Sequence, residues 1–185
     1  AEELLEGLPK AKVDPDLLYP SIYVLRGKQD EAMKLIQENI RRYVPRISQL
    51  LSVLCAHYRE HGKADEAYAV AKINYGMTKL FGIREEVAYP DLIKILASQG
   101  SVQSALDYFE AYVQSVLELS YDYSGNPVFN RLDEEPKDPS YIRKVLAQSI
   151  LMDREYGPLK EEPRYIRAIG KLQAVVDVPT HTFRK

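Results

Sequence analysis

Two histidines four residues apart, His57 and His61, are the pair best spaced for metal chemistry, because positions i and i+4 put both imidazoles on one face of a helix. The surrounding segment, CAHYREHG, lacks the glutamate that a metalloprotease helix carries beside its first histidine. His61 also abuts Gly62, where a histidine near a helix C-terminus is favoured by the helix dipole. The single cysteine, Cys55, falls on a helix-packing position and reads as a buried structural thiol, not a nucleophile. The carboxylates Asp133, Glu134 and Glu135 sit in a proline-flanked stretch and read as solvated. No Gly-rich phosphate loop, G-x-S-x-G turn or dinucleotide fingerprint occurs. Catalytic residues, metal and cofactor are therefore not expected, and the remaining chemistry is that of binding.

Composition narrows what could be bound. At 185 residues, 45% hydrophobic and 28% charged, the chain is long enough for one globular domain with its own core. Lys and Arg number 25 against 27 Asp and Glu, a formal net charge of −2, which is no footprint for nucleic acid. One cysteine cannot close an internal disulfide, so a reducing cytoplasm is expected. No stretch approaches the roughly 18 uncharged apolar residues of a membrane span, and AEELLEGLPK has no basic region before an apolar core. The sequence opens on Ala1 inside a helical pattern, which reads as a piece of a longer protein.

The elements that must position any binding groups follow from an internal repeat. Segments beginning at Tyr23, Tyr58 and Ile95 align on one turn, in which Gly27, Gly62 and Gly100 are each followed five residues later by Ala32, Ala67 and Ala105. Glycine closes a helix in the left-handed conformation without a Cβ penalty. Asp30, Asp65 and the Ser101 segment are placed to supply acceptors for the next helix's first amides. The alanine, one turn further on, lets two antiparallel helices approach closely. Leu50, Leu51, Leu54, Cys55 and Tyr58 keep the spacing of one helical face, and no β-branched alternation of useful length occurs.

Punctuation predicts helices over 15–26, 29–43, 45–61, 64–81, 85–98, 102–121, 140–153 and 162–174. Three hairpins within 1–121 are followed by an irregular connection over 122–139, a closing hairpin over 140–174 and a frayed tail over 175–185. Tyr19, Tyr23, Tyr58, Tyr108, Tyr112, Tyr141 and Tyr165 fall on or near packing positions. Arg41, Arg42 and Arg46 cluster at the expected helix junction.

The repeat resembles the tetratricopeptide repeat, a helix hairpin of 34 residues. Leu51, Leu54, Cys55, Tyr58, Gly62, Ala67 and Ala71 carry the likeness in the second unit, while Tyr19, Tyr23, Gly27, Ala32 and Ile36 carry it more loosely in the first. Leu92, Ile93, Leu96, Gly100, Ala105 and Phe109 carry it in the third. The family's leading tryptophan is absent, and Pro20 stands at the small position of the first unit. The run from Asp153, with Tyr156, Leu159, Pro163, Arg164, Tyr165 and Ile169, is similar to the closing hairpin of bacterial tetratricopeptide proteins, which must cover the last apolar face of a stack. Residues 8–32 resemble the start of the sensor region behind the helix-turn-helix in cytoplasmic regulators of the xenobiotic-response-element class.

The resemblance implies an all-α fold of antiparallel hairpins stacked as a right-handed superhelix. It implies a non-catalytic binding module, the sensing and oligomerisation part of a transcription regulator or else a general interaction scaffold. The family's concave positions fall on Gln49, Ser52, Ala56 and Arg59 in the second unit and on Pro90, Lys94 and Ala97 in the third. Asn39 and Asn74 occupy the corresponding second-helix position, where an amide can clamp a peptide main chain, bond a neighbouring helix or face solvent. A peptide or protein segment in that groove is the expected partner, and a homodimer stays open. Contact with nucleic acid or membrane by this chain is not expected.

Overall fold

The computed structural model describes residues 15–132 and 138–177, and these form an all-α protein. Its α-helices are α1 (Pro15–Leu25), α2 (Gln29–Glu60), α3 (Ala64–Phe81), α4 (Tyr89–Ser98), α5 (Val102–Leu117), α6 (Ser140–Met152) and α7 (Pro163–Asp177). Short 3-10 turns at Glu85–Val87 and Arg154–Leu159 precede α4 and α7. Among the described residues, no helix is long and apolar enough to cross a membrane.

The repeated turn is the same device three times. Gly27, Gly62 and Gly100 have φ of 74°, 70° and 76°. The amides of Lys28, Lys63 and Ser101 each reach back 2.9 Å to the carbonyls of Tyr23, Tyr58 and Leu96, closing the preceding helix with a Schellman motif. Ala32, Ala67 and Ala105 are fully buried where the paired helices meet. The expected capping differs: Lys28, Lys63 and Ser101 take the cap positions and none makes a side-chain cap bond. Asp30 and Asp65 lie two positions past the cap, in the first turn, and act there on the helix dipole.

The expected break at Pro45 does not occur. The two expected helices merge into one helix of 32 residues, α2, ending at Glu60 with His61 as its C-cap; its first part pairs with α1 and its second part with α3. A proline inside a helix costs about 3 kcal/mol. Packing in phase on both sides outweighs it, for Val44 is buried against Ile83 and Phe129 on one side of the proline, and Ser48 and Cys55 are buried on the other. The arginine cluster therefore sits mid-helix and not at a helix end.

Other boundaries shift modestly. The third unit starts its first α-helix at Tyr89, after a turn that Gly82 (φ 60°) and Arg84 (φ 53°) enter in left-handed conformation. Helix α5 stops at Leu117, four residues before the expected end, and α7 continues through Val175 and Val176, which pack partly on the core; 178–185 lie outside the described residues. Tyr112 and Tyr165 are buried as expected, but Tyr19 and Tyr141 are 54% and 69% exposed.

The main core lies between α4, α5, α6 and α7, around Ile93, Leu106, Phe109, Val113, Ile150 and Leu172. Tyr156 and Leu159 of the second 3-10 turn are buried in it, with the Phe109 ring 5.2 Å from Tyr156 and 4.6 Å from Tyr165. Arg164 ties α7 to α5 through Glu110 and Asp107, both at 2.7 Å. The irregular connection after α5 is packed, not solvated: Phe129 is buried, and Asn126 donates to the Phe81 carbonyl at 2.8 Å, closing the end of α3. Gln37 holds its far side, donating to Asn130 Oδ1 at 3.1 Å and accepting from the Arg131 amide at 2.8 Å. The acidic run 133–135 lies outside the described residues.

Candidate binding groove

Four of the six expected site residues meet on one face. Asn74 of α3, which is 1% exposed, donates to the Ser48 carbonyl at 3.4 Å and to Ser52 Oγ at 3.3 Å. Ser52 in turn donates to the Asp91 carboxylate. Lys94, on α4, holds Asp153 at 2.8 Å and Glu155 at 3.5 Å, while Arg59 of α2 holds Glu155 at 2.8 Å. Gln49 is exposed on the same helix. The sequence reading missed the three acids that complete this cluster, since Asp91 after Pro90 looks like an ordinary helix-start acid and Asp153 and Glu155 lie some sixty positions from Lys94.

The electrostatics follow from burial and pairing. Desolvation raises the Asp91 carboxyl above its ordinary range, against the opposing pull of the Ser52 hydroxyl, Arg59 and Lys94. The Arg59 hydrogen bond lowers Glu155. Beside this cluster lies a cavity of about 520 Å³ whose walls include Ala56, Arg59, Gly62, Ile95 and Glu155.

Asn39 lies apart from these. It is 7% exposed, donates to the Asp16 carbonyl of α1 at 2.7 Å and accepts from Arg42 at 2.8 Å. Both asparagines thus bond a first-helix carbonyl in their own hairpin, the neighbouring-helix alternative stated for them. Asn39 also borders a recess of about 900 Å³ between α1, α2, the connection and α6. Its walls combine aliphatic groups (Leu35, Ile83, Leu132) with the rings of Tyr121, Tyr123 and Tyr141 and with Arg41, Arg42 and Arg84. Arg42 is paired with Asp16 and Arg84 with Glu86. No sequence motif marks this recess, because the connection that walls it has no periodicity.

Cys55 is fully buried, its Sγ 3.5 Å from the Ala67 carbonyl, and burial pushes its pKa up to about 11. The His61 ring nitrogen Nδ1 lies 2.8 Å from the His57 carbonyl. Among the described residues, no three His, Cys, Asp or Glu side chains converge as metal ligands would.

Comparison of the chain with protein-family models, with curated proteins and with solved structures finds no match in any of the three.

Proposed function

We propose that this chain is a non-catalytic binding module that receives an extended peptide or protein segment along one face of α2. The observation that carries the reading is that a single stripe of α2 reaches both recesses. Arg41 and Pro45 line the larger one and Ala56 and Arg59 the smaller, with Gln49 and Ser52 between them at helical spacing. Pro45 and Ala56 are about 17 Å apart along the helix axis, a distance covered by about five residues of extended chain. A recess of about 900 Å³ with aromatic, aliphatic and cationic walls suits an anchoring side chain, and Arg59 and Glu155, which line the smaller one, offer a donor and an acceptor to a peptide backbone.

The module's setting is the sensing part of a cytoplasmic bacterial transcription regulator whose helices stack as tetratricopeptide-like hairpins. Support for that comes from the sequence likeness of residues 8–32 and from the three identical glycine turns. The test is panning of a display library of random linear peptides, followed by titration of a selected peptide into Tyr141→Ala and Ala56→Trp variants. Each substitution, one at either recess, is expected to weaken binding about tenfold or more with unchanged thermal unfolding. Failure to select any peptide, or an affinity indifferent to both substitutions, overturns the reading.

A further inference from the structure

The unbroken α2 has a consequence for the surface. Ala32, Ile36, Asn39 and Tyr43 form a row at alternating spacings of four and three, the row that faces α1: Asn39 and Tyr43 both bond Asp16, and Ala32 is fully buried. Because the helix does not stop at Pro45, the row continues in the same register through Arg46, Leu50, Val53, His57 and Glu60. No described helix covers this second half. Leu50 is 70% exposed and Val53 64%, with Ile47 and Leu54 flanking them at 45% and 39%. A helix face of this kind is normally buried against another element.

We propose that a second copy of this chain covers it, the two α2 helices crossing antiparallel about a two-fold axis at Val53. The charge pattern points to this occupant. Arg46 and Glu60 are both exposed, lie seven residues to either side of Val53, and fall on the same row. A two-fold at Val53 therefore sets each Arg46 against Glu60 of the other copy, twice per interface, with Leu50 packing beside the partner's His57. A parallel pairing would instead put arginine on arginine and glutamate on glutamate. The contact is isologous, as closed dimers are, and it uses the row next to the peptide stripe, about 100° round the α2 axis from it; the oligomeric state of the chain without peptide tests it separately from the peptide reading.

Analytical ultracentrifugation of the full 185-residue chain is expected to show a dimer. Arg46→Glu should weaken it about tenfold, because two attractive pairs become repulsive, and the double variant Arg46→Glu, Glu60→Arg should restore it while circular dichroism and melting stay those of the parent. Val53→Cys should form an intermolecular disulfide on mild oxidation, which the parent, with its only thiol buried, cannot. A monomer at micromolar concentrations, a dimer that Arg46→Glu leaves intact, or a Val53→Cys thiol that never cross-links would overturn the proposal; a thiol shielded within a monomer would assign the face to chain preceding Pro15.

Discussion

Asn39 Nδ2 sits 2.7 Å from the Asp16 carbonyl, the carbonyl that Pro20, four residues on and lacking an N–H, leaves without a helical donor. A side chain on α2 thus completes the hydrogen bonding of α1, and Arg42 takes up the amide's other end. Asn39→Leu should destabilise the protein by about 1–3 kcal/mol, the cost of leaving a buried acceptor bare. In a Pro20→Ala background the new amide supplies the missing donor, so the same substitution should cost clearly less. A double-mutant cycle by urea unfolding measures the difference.

Gly62 and Gly76 separate two roles of one residue type. Gly62 closes α2 at φ 70°, whereas Gly76 lies inside α3 with nothing within 4 Å of where a Cβ would stand. Gly62→Ala should cost about 1 kcal/mol through the left-handed strain. Gly76→Ala should stabilise by about 0.4–1 kcal/mol by restricting the unfolded chain. Thermal unfolding of the two variants should move in opposite directions.

Asp91 gives a pH signature. Burial raises its carboxyl pKa in the fold above the unfolded value near about 3.9, so the fold favours its protonated form. That contribution is present below the unfolded value and is lost as pH rises through the folded one. Asp91→Asn should therefore melt higher than the parent at pH 7, with the gap closing by pH 3. A parent more stable than the variant at neutral pH would contradict the assignment.

Cys55 should behave as a reporter of unfolding. Fully buried, with its pKa pushed up to about 11, it offers almost no thiolate to solvent. Labelling by an aromatic disulfide reagent should be negligible in native buffer and should accelerate with urea in step with the loss of helical circular dichroism.

What the sequence made legible was local. The three glycine turns and their alanines could be read because glycine's left-handed conformation and alanine's size act on neighbouring residues alone. The all-α class followed from the same spacing. Pro45 misled because a local rule met tertiary packing: Val44, Ser48 and Cys55 hold both halves of α2 in phase, and contacts with Ile83 and Phe129 come from segments 39 and 85 positions away. The groove was half legible. Ser52, Arg59, Asn74 and Lys94 converge, but their partners Asp153 and Glu155 and the recess beneath Tyr121 and Tyr123 depend on how the aperiodic connection and the last 3-10 turn fold back.

The most direct test of the peptide stripe is amide chemical-shift mapping by NMR, with the display-selected peptide titrated into the labelled chain. Perturbations running along Arg41, Gln49, Ser52 and Ala56 of α2 and onto Tyr121, Tyr123 and Tyr141 are the predicted result. Shifts confined to α5 and α7 around Arg164, or to the Leu50–Val53 face alone, would contradict it.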